Sequence, residues 1–406
     1  MSRDFLPYGR QTIEDDDVAA VTAALHADFL TTGPLVAEFE AAFAAKTGAA
    51  HAVACNSGTA ALHLAALALD LAPGQAAIVP SLTFLATANI VRMTGAEVVF
   101  ADVAPDTGLL TPATFTAARL RAEAAGLKVR AALPVHLNGW LCDMPSLAAA
   151  AEPHGIALVE DACHALGVRD VGAAQHSAAA CFSTHPVKAI ATGEGGIVTT
   201  RSAGMASRMR RLRSHGMTHD AASFANRDQA SGQGGPDPWY YEMPEIGWNY
   251  RMPDVLCALG LSQLKKLDRF HGRRREIATQ YARLLAPLAP VVRPVSAATD
   301  VHGWHLYAVL IDFAAAKTTH AQLMRSLREQ GIGTQVHYIP VHRQPYYRQR
   351  YGDLNLPGAA SYYERCLSIP CFPSLRDEDV EFVAAALSRA VGATDPSRAP
   401  RAAARE

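Results

Sequence analysis

The sequence predicts an α/β protein in which a large domain on a mainly parallel sheet is followed by a small C-terminal α+β domain. Three observations carry this expectation. Between residues 50 and 200, seven short β-branched or apolar runs recur with helical patterns among them, the alternation of a parallel sheet. Most of these runs are apolar throughout rather than alternating, as in strands buried on both faces. After residue 253 a long helical pattern leads into a second, shorter set of strand and helix patterns.

The seven runs are HAVACN from 51, AIVPS from 77, EVVFADV from 97, VRAALPVHL from 129, IALVEDA from 156, AACFST from 179 and GGIVTT from 195. TAALHLAALALDL from 59, LATANIVRMTG from 85 and TPATFTAARLRAEAAG from 111 read as helices. The polar, Gly- and Pro-rich stretch 217–243 reads as a long loop or flap. Residues 253–288 form one connecting helical pattern, with Gly260 and Gly272 as candidate breaks. A strand is expected at HLYAVLIDF from 305, a helix at THAQLMRSLREQG from 319, a strand at TQVHYIPV from 334 and a last helix at DEDVEFVAAALSRAV from 377. The expected organisation is therefore a large domain over 1–260, a connecting helix and small domain over 261–393, and a disordered tail over 394–406.

The composition is half apolar and 18% charged, which excludes collagen-like, low-complexity and wholly disordered chains. With 37 Lys+Arg against 38 Asp+Glu the net charge is -1, so no global field draws the chain to nucleic acid or an anionic membrane. Seven cysteines without a C-x-x-C pair indicate neither a disulfide framework nor a zinc cluster. The charged start MSRDFLPYGRQTIEDDD and the lack of a long apolar run point to a cytoplasmic protein.

The chemistry is expected where strands end. Lys188 lies in CFSTHPVKAIATGEGGIVTT, between two strands and among small and apolar residues, whereas the other five lysines read as surface residues. Partial desolvation there would free its amine for Schiff-base chemistry, although a solvated loop lysine fits the same position. The strand IALVE runs into Asp161, at the end of a strand where open α/β sheets place functional groups. A carboxylate there can face a pyridine nitrogen or cap a helix. In CNSGTAAL, Asn56, Ser57, Gly58 and Thr59 follow a strand and open a helix, which makes either a phosphate cradle or an ordinary cap. Phe84, after another strand, can stack on a flat ring or fill the core. Neither a P-loop nor a strand-linked G-x-G-x-x-G occurs, and the histidines show no metal-ligand spacing.

Taken in order, N-S-G-T, S-L-T-F, E-D-A-C-H-A-L-G, F-S-T-H-P-V-K with T-G-E-G-G, and W-N-Y-R-M-P-D resemble the sugar-nucleotide aminotransferases of the DegT/DnrJ/EryC1/StrS family, from about residue 5 to 375. The resemblance implies a fold type I pyridoxal 5'-phosphate enzyme, a homodimer with shared active sites and a seven-stranded large-domain sheet. By it, Lys188 matches the Schiff-base lysine, Asp161 the pyridinium partner, His164 a residue beside the cofactor ring and Phe84 the stacking aromatic. Gly58, Thr59 and Ser183 match the phosphate site, and Asn249 a residue reaching in from the partner subunit. Tyr8, the stretch Asp28, Phe29, Leu30 and Thr31, and the stretch Gln335, Val336, His337 and Tyr338 match sugar-nucleotide contacts.

FLPYGRQ from 5, RSHGM from 213, QVHYIPVHRQPYYR from 335 and LSIPCFPSL from 367 resemble the branch that aminates the C4 ketone of a UDP-linked 6-deoxy-N-acetyl-hexosulose in pseudaminic acid biosynthesis. The implied reaction takes its amino group from glutamate, with Lys188 as general base. Thr184 departs from the aromatic usual in the F-S-F-H motif. The alternatives are a C3 or C4 aminotransferase of a dTDP- or GDP-sugar, and a non-catalytic cofactor-binding regulator. A sugar dehydrase of the same fold, in which the lysine is replaced, is opposed by Lys188.

Overall fold

In a computed structural model, residues 4–226, 230–232, 235–296 and 302–392 are described; the tail expected over 394–406 lies outside them. All seven runs are strands: β1 His51–Cys55, β2 Gln75–Pro80, β3 Glu97–Ala101, β4 Lys128–Ala132, β5 Ala157–Asp161, β6 Ala179–Ser183 and β7 Gly196–Thr200. They form one sheet in the order β1-β7-β6-β5-β4-β2-β3. Only β7 runs against its neighbours. A parallel neighbour for β6 would need a crossover helix. The chain instead turns back through the loop carrying Lys188, which therefore lies at the same sheet end as the C-termini of β1, β2 and β5.

The strands are continuous apolar runs because helices cover both faces of the sheet; every residue of β7 is buried. The exposed edge of β1 is closed by charge. Glu40 accepts a hydrogen bond from the Ala54 amide (2.9 Å), while Arg210 donates to the Ala52 carbonyl (2.8 Å) and Arg213 to that of Ala54.

The small domain is a three-stranded antiparallel sheet, β10 Val292–Pro294, β11 Tyr307–Ile311 and β12 Cys366–Ile369. Its core, with Ile277, Tyr281, Val309, Leu323 and Leu387, is separate from that of the large sheet. Leu6 packs in this small core, its backbone paired with Gly331 and Gly333. The stretch around Leu6 thus lies against the small domain, while the helix Pro34–Thr47 packs on β1 of the large one. Among its described residues the 217–243 stretch is mostly loop, with β8 Ser231–Gly232 paired antiparallel to β9 Gly235–Pro236. Glu242 ties its base together by accepting from the amides of Ala225 (2.6 Å) and Asn226 (2.7 Å).

Three local expectations are corrected. The 253–288 pattern breaks between helices Asp254–Leu264 and Leu267–Leu285, at neither glycine. Gly260 lies inside the helix, where a Cβ would come within 2.8 Å of the Phe39 ring, so the glycine lets Phe39 pack against the helix. Lys266, expected on the surface, is buried at that break and pairs with Asp16 (2.6 Å) and Asp17 (2.7 Å). TQVHYIPV is no strand: Gln335 alone pairs with Ser368 of β12, and Val341 then bonds to Ser81 of the large domain (2.8 Å). The segment between is free to line a cavity joining the domains.

Candidate active site

A cavity of about 620 Å³ opens at the carboxyl ends of β1, β2, β5 and β6. At one end, Ser57 caps helix Gly58–Ala68 by accepting from the Ala60 amide at 3.1 Å. As first residues of that helix, Gly58 and Thr59 have amides with no partner inside it, and both line the cavity. A Cβ at Gly58 would lie 2.8 Å from that of Ser183, so glycine lets the helix end press against β6. Ser183 also faces the cavity.

At the other end, Asp161 closes β5 and is 5% exposed. Its Oδ2 accepts from the Thr87 hydroxyl at 2.7 Å and its Oδ1 from the Cys163 amide at 3.2 Å, so the carboxylate is held in one orientation. Lys188 faces the same cavity, and among the described residues its amine makes no hydrogen bond. Desolvation lowers its pKa from the usual lysine value, against the nearby charges of Cys163 and Asp161.

His164 is buried in the cavity wall, its Nδ1 accepting from the Asn138 amide (3.3 Å) and its Nε2 bonded to the Tyr338 hydroxyl (3.2 Å). Burial, reinforced by Lys188 and His337, pushes its pKa well below the usual range, which keeps the ring neutral. Phe84 is 57% exposed beside the cavity, its ring 6.1 Å from that of Tyr338. The outer wall comes from Tyr8 and from Gln335, Val336, His337 and Tyr338. The rings of Tyr8 and His337 meet edge to face at 5.2 Å, and His337 Nδ1 bonds to Ser368 Oγ at 2.9 Å.

Twelve of the expected site residues thus converge on one cavity. The other five do not line it. Asn249 and the stretch Asp28, Phe29, Leu30 and Thr31 are exposed on the protomer surface. Asn249 is nevertheless near the helix end, its carbonyl accepting from Asn56 Nδ2 at 3.3 Å. Thr87 and Asn138 were not legible as site residues. The only sequence signal for Thr87 is its spacing of four from Thr83, just ahead of the helix Leu85–Met93; the two hydroxyls lie 2.7 Å apart.

The model of the DegT/DnrJ/EryC1/StrS aminotransferase family matches residues 11–388. The chain belongs to this family. It is 39% identical to the spore coat polysaccharide biosynthesis protein SpsC of Bacillus subtilis over 398 residues, 96% of this chain and 98% of that protein. Among solved structures it is similar to PseC of Helicobacter pylori, an aminotransferase involved in the biosynthesis of pseudaminic acid (TM-score 0.85, 28% identity, covering 96% of this chain and 99% of that one). It is also similar to the pyridoxamine phosphate form of a putative sugar aminotransferase of Streptococcus pneumoniae (TM-score 0.84, 25% identity, 95% and 98% covered). The protein is therefore a sugar aminotransferase of the DegT family, with pyridoxal phosphate as its cofactor and the type I fold that the seven-stranded sheet displays. The residues present fit that cofactor: a cradle at Gly58 that a Cβ would fill, an unpartnered amine at Lys188 and an oriented carboxylate at Asp161 lie on one cavity. No helix among the described residues is long and apolar enough to cross a membrane, and no group of histidine, cysteine and carboxylate side chains there suits a metal ion.

Proposed function

We propose that this aminotransferase moves an amino group from glutamate to the C4 ketone of a UDP-linked 4-keto-6-deoxy-N-acetyl-hexosamine, in the cytoplasm, as a step toward pseudaminic acid. The observation that carries the reaction type is the convergence of Lys188, Asp161 and the helix end at Gly58 and Thr59 on one cavity. The substrate assignment is supported by the segments at 5, 213, 335 and 367 and by the likeness to PseC. The higher identity to SpsC favours a second reading, an aminotransferase for another nucleotide-linked keto sugar.

Bound pyridoxal phosphate supplies an electron sink for the pair left on a substrate carbon when its proton departs. In this proposal the amides of Gly58 and Thr59 and the hydroxyl of Ser183 hold its phosphate. Asp161, oriented by Thr87, would hold the pyridine nitrogen and keep it protonated. Lys188 would hold the cofactor, and its Nζ would serve as the base that takes the proton from the donor Cα and, in the opposite sense, supplies one to the sugar carbon. His164 would pack beside the cofactor ring and Phe84 would stack near it. Tyr8 with Gln335, Val336, His337 and Tyr338 forms the sugar-nucleotide wall, completed from the surface by Asp28, Phe29, Leu30 and Thr31. The exposure of those four residues and of Asn249 fits a homodimer in which Asn249 reaches the partner's phosphate site.

The decisive experiment incubates purified protein with glutamate and UDP-, dTDP- and GDP-linked 4-keto sugars and reads the products by mass. Amination of the UDP-linked N-acetyl sugar at C4 is expected. A preference for a dTDP- or GDP-linked ketone would instead establish the second reading.

A further inference from the structure

Behind His164 lies a joint between the domains that the established chemistry leaves unused. Asn138, 1% exposed, sits after β4 with φ 63°, a left-handed conformation that Asn tolerates better than most residues. Each of its polar groups but one reaches a different element. Its amide donates to His164 Nδ1 (3.3 Å), its carbonyl accepts from the Leu306 amide (3.3 Å), and its Nδ2 donates to the Tyr362 hydroxyl (2.8 Å). The next residue, Gly139, accepts from the Gly303 amide (2.8 Å), and a Cβ on it would lie 3.0 Å from Gly303 Cα. The residue is thus fixed by contacts from both domains.

A backbone N–H can only donate, so the Nδ1 it meets must carry no proton. A neutral imidazole has one N–H. That hydrogen is then on Nε2, which points at the Tyr338 oxygen 3.2 Å away. With its oxygen accepting from His164, Tyr338 has its own hydroxyl hydrogen free to turn elsewhere, and the side chain lines the cavity.

We propose that Asn138 is a positioning residue, which fixes His164 as the Nε2–H tautomer and through it turns the Tyr338 hydroxyl hydrogen toward the cavity. The cavity side of Tyr338 is thereby a hydrogen-bond donor, suited to an acceptor oxygen of the bound substrates. Any consequence for turnover rests on the reading that His164 lies beside the cofactor.

The test reads the tautomer directly, by NMR of the cofactor-free protein labelled with ¹⁵N-histidine, with the His164 signals identified by their loss in His164→Gln. The wild type is expected to show an acceptor-type Nδ1 and an N–H-type Nε2. In Asn138→Ala the left-handed backbone is disfavoured and the Tyr362 bond lost, so the two shifts should move toward averaged values. Asn138→Gly tolerates the backbone angle but still lacks the Tyr362 bond, so it should recover only part of the wild-type pattern, to about the level of Tyr362→Phe. Should Asn138→Ala fail to fold, Tyr362→Phe, which removes one oxygen, should give partial averaging. An Nδ1–H tautomer in the wild type, or an unchanged pattern in folded Asn138→Ala or in Tyr362→Phe, would overturn the proposal. With cofactor bound, the rate of the glutamate half-reaction should fall about ten-fold in Asn138→Ala at nearly constant glutamate affinity. A changed tautomer with an unchanged rate would uphold the positioning role and remove His164 from the cofactor chemistry.

Discussion

The hydroxyl of Thr87 donates to Oδ2 of Asp161 across 2.7 Å, and both groups are buried. The bond crosses from the helix after β2 to the end of β5, so the carboxylate is aimed by an element remote in sequence. Thr87→Val removes the donor while nearly keeping the volume. Turnover should fall about ten-fold and Thr87→Ser should restore most of it, as measured by the single-turnover rate with glutamate. A Thr87→Val enzyme as fast as wild type would show that Asp161 needs no second partner.

Lys188→Ala should still bind pyridoxal phosphate through the phosphate cradle but lose both turnover and the covalent link that borohydride traps. Mass spectrometry after reduction checks this, and a trapped link on another lysine would contradict the assignment. Asp161→Ala should remain folded and lose most turnover, because an unprotonated pyridine withdraws electrons poorly.

Asn249 is exposed in the protomer yet adjoins Asn56 at the helix end. If it serves the partner's site, mixing Lys188→Ala with an impaired Asn249→Ala variant should restore activity. Heterodimers would then hold one site with both defects and one with neither. Demonstrated subunit exchange without recovered activity would place Asn249 in its own site.

Tyr8 and His337 pack edge to face on the outer wall. Tyr8→Ala and His337→Ala should raise KM for the nucleotide sugar several-fold and leave the glutamate half-reaction nearly unchanged. Equal damage to both halves would indicate lost cofactor geometry instead.

Burial lowers His63 to about 4 and His302 and His337 to about 3. Between those values and the ordinary pKa of about 6.5, the unfolded chain binds more protons than the folded one. The stability these neutral rings contribute is complete above about 6.5 and drains away as pH falls toward 3. Calorimetry of the cofactor-free protein should show Tm dropping from pH 7 to pH 5. His63→Phe should shallow that slope, and an unchanged slope would mean His63 is protonated in the fold.

The sheet and the cofactor end of the site were legible because their signals are local. A strand buried on both faces is mostly apolar, and Asp161 and Ser183 end such strands while Gly58 and Lys188 lie within a few residues beyond them. Segments that switch between domains were not legible. TQVHYIPV has the composition of a strand, but Ser368 offers a partner to Gln335 alone, and Gln335 to Ile339 become cavity wall.

By itself the sequence determined the seven strands, the two-domain order and the residue types that chemistry requires at strand ends. Only the tertiary structure decided that Lys266 is a buried ion-pair partner of Asp16 and Asp17, that Thr87 orients Asp161, and that Asn138 meets His164 and Tyr362. Each of these depends on a hydrogen bond or ion pair between residues tens to hundreds of positions apart. Periodicity and local propensity report a residue's own neighbours along the chain, whereas such a pairing exists only once two elements have packed together.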